Sequence, residues 1–101
     1  MTISKIAEED KLTIVLEGRL DTTTAPDLEA FSKENLDGVE NLVLDFDKLE
    51  YISSAGLRVV LSLQKEMNKK GQMTVANVSS EIMEIFEITG FSDILTIENV
   101  K

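Results

Sequence analysis

Apolar and polar residues alternate along Leu12-Thr13-Ile14-Val15-Leu16-Glu17-Gly18, with large side chains at Leu12, Ile14 and Leu16. This two-residue period predicts a half-buried strand. Glu9-Asp10-Lys11 reads as a turn before it, which makes Thr2 to Ala7 its hairpin partner despite weaker alternation. The period then lengthens. Thr24 can cap a helix that takes Pro26 and Asp27 in its first turn, runs to about Asn35 with Leu28, Phe31 and Leu36 on one side, and stops at Asp37-Gly38. Leu42-Val43-Leu44 is a short continuous apolar run, the pattern of a central strand covered on both faces by helices.

A second helix is predicted over Ser54 to Lys69. Its apolar residues Leu57, Val59, Val60, Leu61, Leu63 and Met67 span about 200° at ~100° per residue, and Arg58, Ser62, Lys65, Glu66 and Lys69 fill the rest. So wide an arc fits packing against both a sheet and a neighbouring helix, with a partner surface as the alternative. Gly71 ends the helix, and Met73-Thr74-Val75-Ala76 reads as a strand. Ser79 or Ser80 caps a last helix that turns Ile82, Ile85 and Phe86 inward and closes at Gly90. Ile94-Leu95-Thr96-Ile97 is expected to form a short edge strand. The order β-β-α-β-α-β-α-β implies an α/β fold: a mixed, mostly parallel sheet of about five strands with helices packed on it through right-handed crossovers.

Length and composition narrow this picture. At 101 residues, 43% hydrophobic and 29% charged, the chain suits one ordered domain spanning 1–101. There is no cysteine, so stability must come from packing, as suits a reducing cytoplasm. The N-terminus lacks the basic and apolar regions of a secretory leader, and no apolar run approaches the ~20 residues of a membrane span, so neither secretion nor membrane insertion is expected. The net charge of −9 argues against nucleic acid and anionic lipid as partners. Residues 1–50 hold 13 acids and 5 bases, residues 51–101 only 6 acids and 5 bases, so the first half carries most of that charge.

Histidine is absent as well, which removes the usual general base, the Ser-His-Asp arrangement and, with cysteine, nearly all zinc sites. The five glycines are isolated, so no Walker loop or dinucleotide fingerprint exists, and no cofactor is expected. Asp21, Asp45 and Asp47 could meet at one end of the sheet to hold magnesium. The plainer reading leaves Asp45 and Asp47 solvated and has Asp21 order the turn before the first helix. The stretch from Leu44 to Arg58 passes from a buried strand through a loop into a helix start. There Ser53 or Ser54 can cap the helix, and free backbone N–H groups favour an anion.

Gly18-Arg19-Leu20-Asp21 is similar to the Gly-x-Leu-Asp motif of STAS domains, specifically the stand-alone anti-sigma factor antagonists of bacteria, and Ile52-Ser53-Ser54-Ala55-Gly56-Leu57 resembles their phosphorylation loop. Asn77-Val78-Ser79 and the stretch from Phe86 to Phe91 also fit the family pattern, so the resemblance covers nearly the whole chain. It implies a non-enzymatic switch. In its unphosphorylated form the loop and following helix bind an anti-sigma factor that is itself a serine kinase, and the sigma factor is released. Phosphorylation breaks that contact, and a PP2C-type phosphatase restores it. Carried over residue by residue, the acceptor is Ser54, with Ser53 as the alternative. Ser53 stands where the family carries aspartate, and Asp21, Ala55, Gly56, Leu57 and Arg58 support the loop or touch the partner. A competing reading is a constitutive STAS scaffold subunit of a larger signalling or lipid-transport assembly. In that case Ser54 is only a helix cap, and Ser54→Ala should cost ~1 kcal/mol.

Overall fold

The computed structural model describes residues 1–99. A hairpin opens the chain, β1 (Thr2–Glu8) and β2 (Lys11–Leu20), turned by Glu9 and Asp10 with Glu9 at a φ of 55°. Three strand-to-strand crossovers follow: α1 (Ala25–Asn35) leads to β3 (Asn41–Ile52), α2 (Ser54–Asn68) to β4 (Gln72–Ala76), and α3 (Ser80–Thr89) with a 3-10 turn at Phe91–Asp93 to β5 (Ile97–Glu98). The strands lie in the order β1-β2-β3-β4-β5, with β1 antiparallel to β2 and every later pair parallel. The expected element order and the central place of β3 both hold.

Each crossover advances one strand in the same direction. Because such connections are right-handed, successive steps the same way lay all the helices on one face. Burial follows that logic. Leu12, Ile14, Leu16, Leu42, Leu44, Phe46, Met73 and Val75 share one core with Leu28 of α1, Val60 of α2 and Phe86 of α3. Between them Thr13, Val15, Val43 and Thr74 are only half-buried, on the opposite face. The expectation that helices cover β3 on both faces is therefore corrected: the apolar Val43 between two leucines hid an alternation that the structure restores.

β3 is also far longer than Leu42-Val43-Leu44 suggested, at 12 residues. Its buried positions are Leu42, Leu44, Phe46, Leu49 and Ile52, so the spacing changes from two to three. The register explains why. Val15 faces Asp45 while Glu17 faces Lys48, and Gly18 faces Leu49 while Arg19 faces Tyr51; at each step β3 carries one residue more than β2. Two bulges thus break the period that sequence reasoning relies on.

Helix ends mostly fall where expected, with exceptions that have local causes. In α2, Leu61 is only half-buried while Gln64 is buried, its Nε2 donating to Asn68 Oδ1 at 2.8 Å. Ser79, not Ser80, caps α3, accepting from Ile82 N at 3.3 Å, and Gly90 ends that helix at a φ of 82°. Ile85 is half-buried beside the buried Ile82 and Phe86. Gly71 closes α2 for a reason other than a left-handed turn: a Cβ there would stand 1.9 Å from Glu40 O, so the backbones must touch at this point. The last strand begins later than predicted. Ile94 and Leu95 donate back to Phe91 O at 3.0 and 2.9 Å, which leaves Ile94 exposed. Pairing with β4 starts only at Thr96 O, which accepts from Val75 N.

Candidate functional site

The two sequence motifs meet at the carboxyl ends of β2 and β3. Leu20 lies opposite Ile52, and Ser53 N donates to Leu20 O at 2.9 Å, so Gly18-Arg19-Leu20-Asp21 and the Ser53-Ser54 turn form one continuous edge. Ser53, in extended conformation, caps α2 by accepting from Gly56 N at 3.2 Å. Ser54 is the first residue of the helix, exposed, and its hydroxyl has no hydrogen-bond partner among the described residues. The choice left open in the sequence is resolved for the cap: Ser53 holds it, and Ser54 does not. A reading of Ser54 as merely a cap is corrected accordingly.

Gly56 makes this turn possible by its size. A Cβ on Gly56 would lie 2.8 Å from Leu20 Cγ and 3.0 Å from both Ile52 Cγ1 and Leu20 O, so the first turn of α2 rests directly on the strand ends. Leu57 is buried and Ala55 half-buried, whereas Arg58 is exposed. Arg58, Ala55 and Val59 face Thr22, Ala25, Pro26 and Glu29 of the α1 region across a shallow groove.

On the β2 side, Asp21 orders the loop into α1. Its Oδ1 accepts from Thr23 N at 3.0 Å and Thr24 N at 3.1 Å. The Thr24 backbone N–H is the main reason its carboxyl sits below the ordinary carboxylate range, helped by the Thr23 N–H, the Thr24 hydroxyl and Arg19 against a partial loss of hydration. Thr24 occupies the cap position of α1, but its side chain does not cap. The hydroxyl instead donates to Arg19 O and accepts from Asp21 N, both at 2.8 Å, tying the loop to the end of β2.

Sequence reasoning passed over Tyr51. It is exposed opposite Arg19, whose guanidinium lies 4.2 Å from the ring centroid and 3.9 Å from Asp21 Oδ2. Its only sequence signal was the alternation that the bulges erase. The three aspartates do not converge. Asp45 Oδ1 accepts from Asp47 N and from Asn77 Nδ2, at 3.0 and 3.2 Å, apart from the Asp21 loop. Among the described residues no group of three or more metal-ligating side chains forms.

Against known proteins, the profile of the STAS domain matches residues 2–101. The chain belongs to the STAS domain family. BtrV of Bordetella bronchiseptica, assigned to the anti-sigma factor antagonists, is 37% identical to this STAS domain over 103 residues, covering 100% of the chain and 87% of BtrV. The anti-sigma-B factor antagonist of Listeria monocytogenes is 31% identical over 100 residues, covering 96% and 87%. The same fold recurs in an anti-sigma-factor antagonist domain protein of Planctomyces limnophilus, at a TM-score of 0.87 and 16% identity over 98% of this chain and 91% of that one. It recurs too in the phosphorylated form of the Bacillus cell fate determinant SpoIIAA, at a TM-score of 0.75 and 19% identity over 95% and 90%. No helix among the described residues is long and apolar enough to cross a membrane.

Proposed function

We propose that this STAS domain is an anti-sigma factor antagonist of the bacterial cytoplasm, a binding switch controlled by phosphorylation of Ser54. The observation that carries the reading is the division of labour between the two serines: Ser53 is held as the helix cap, while the Ser54 hydroxyl is exposed and, among the described residues, unengaged. The names of the relatives at 37% and 31% identity supply the partner class, an anti-sigma factor.

Unphosphorylated, the turn at Ser53-Ser54 and the first turns of α2 dock on the anti-sigma factor, which lets go of its sigma factor. Ala55, Gly56 and Leu57 shape that surface from below, and Asp21 keeps the adjoining loop in place. The partner acts as a serine kinase. Ser54 Oγ attacks the γ-phosphorus of an ATP held by that kinase, a proton leaves the hydroxyl, and ADP departs. The monoester brings about −1.5 to −2 charges to the interface. A hundredfold loss of affinity requires only ~2.7 kcal/mol, within reach of repulsion and desolvation at one contact. A PP2C-type phosphatase hydrolyses the ester and resets the switch.

Calorimetric titration of the cognate anti-sigma factor tests this. Ser54→Ala should bind and resist phosphorylation, and Ser54→Asp should bind at least tenfold more weakly. Undiminished affinity of Ser54→Asp would overturn the switch.

A further inference from the structure

We infer that Arg58 is an internal receiver for the Ser54 phosphate: once formed, the monoester folds along α2 onto the Arg58 guanidinium. The inference rests on Ser54 as the acceptor and concerns what happens to the phosphate afterwards.

The chain contains only two arginines, at positions 19 and 58, and both lie at the Ser54 end of the sheet. Their situations differ. Arg19 is engaged, stacked on Tyr51 and paired with Asp21. Arg58 is exposed and has no ion pair among the described residues, and Glu29, the acid that shares its groove, is paired with Lys33 at 3.5 Å. The first turn of α2 holds no acidic residue to compete for it.

Helix geometry does the rest. Ser54 and Arg58 are four residues apart, a spacing that brings Cβ atoms to ~5–6 Å on one face. Helical side chains lean towards the N-terminus, so a long side chain at 58 covers the turn that begins at 54. The polarity is also the favourable one, with the anion N-terminal to the cation. Guanidinium and phosphate can pair through two parallel hydrogen bonds, which an ammonium cannot reproduce. Phosphorylation then alters the surface twice, adding an anion at 54 and withdrawing the free cation at 58. The charged groups at this end of the fold are Arg58 on the acceptor's own helix, Glu29 across the groove on α1, and Arg19 and Asp21 at the end of β2.

The test uses full-length protein with phosphoserine installed at position 54 by codon reassignment, so it needs no kinase. Phosphorus NMR titration reads the second ionisation of the monoester. The helix N-terminus acts equally on every variant, so a difference between variants isolates residue 58. The phosphate pKa should lie at least about 0.3 unit lower with arginine at 58 than in Arg58→Gln, with Arg58→Lys in between and the gap shrinking in 1 M salt. Equal values for wild type and Arg58→Gln would overturn the inference while leaving the switch intact. Failure of the kinase to modify Ser54 would instead refute the switch and leave this titration unaffected.

Discussion

Replacing each serine of the Ser53-Ser54 turn in separate variants separates their roles by stability alone. Ser53→Ala removes the oxygen that accepts from Gly56 N. At 3.2 Å that bond is at the long end of the normal range, which argues for the lower part of the ~0.5–2 kcal/mol typical of lost caps. Against this, Gly56 is buried, so water cannot easily take the place of the serine and the N–H is left unpaired. The two effects together give a loss of ~1 kcal/mol. For a domain of this size that lowers the melting temperature by roughly 4–8 °C. Ser54→Ala removes a hydroxyl with no partner among the described residues and places a better helix former at the first position, so its expected change is within about 0.5 kcal/mol of zero. Thermal and urea unfolding of the two single variants, followed by circular dichroism, measure the contrast. Equal losses, or a larger loss at Ser54, would refute the assignment of the cap and with it the argument that Ser54 is the serine free for modification.

Gly71→Ala should destabilise by at least ~2 kcal/mol, because its Cβ would meet Glu40 O at 1.9 Å, and a near-neutral result in urea unfolding would contradict that packing. Asp21→Asn should change the acid limb of the stability curve. The folded carboxyl titrates below its unfolded value, so its contribution is present above about pH 4 and lost as pH falls through the lower folded value. The stability gap between wild type and Asp21→Asn should therefore be constant near neutrality and close on acidification. Parallel curves across pH 2–6 would count against the hydrogen bonds described for this loop.

Much of this was legible in the sequence wherever a single period governs a segment. β2, with Leu12, Ile14 and Leu16 inward, and α2, with its broad apolar arc, were readable for that reason. The motif resemblance singled out Asp21 and Ser54, and the fold sets their two segments side by side through the pairing of Leu20 with Ile52. What escaped has physical causes. The outer half of β3 is hidden because bulges change the spacing of its buried residues from two to three. The start of β5 is hidden because Ile94 and Leu95 look like a strand by composition but are held by a 3-10 turn. Thr24 has the right identity and position for a cap, yet a tertiary demand, the Arg19 carbonyl, claims its hydroxyl. The two serines could not be told apart by residue type, only by which hydroxyl reaches Gly56 N.

The paired bulges of β3 obey an arithmetic of parity. Each bulge sets two exposed residues of β3, Asp47 with Lys48 and Glu50 with Tyr51, against one residue of β2, so the sequence parity of the inward positions flips while the inward face itself does not. Leu49 and Ile52 therefore both stay inward and Ile52 still lies opposite Leu20, so the two extra residues are absorbed in the bulges and the Ser53-Ser54 turn is not displaced along the sheet. Omitting Asp47 and Glu50 together would leave Phe46, Lys48, Leu49, Tyr51 and Ile52 in plain alternation, with Leu49 and Ile52 still inward. Omitting either one alone would straighten one bulge and leave the other, with Ile52 still inward and the serine turn still on its edge. The number of residues between the sheet centre and Ser54 can thus change one at a time without moving the Ser54 hydroxyl, because each bulge takes up its extra residue locally.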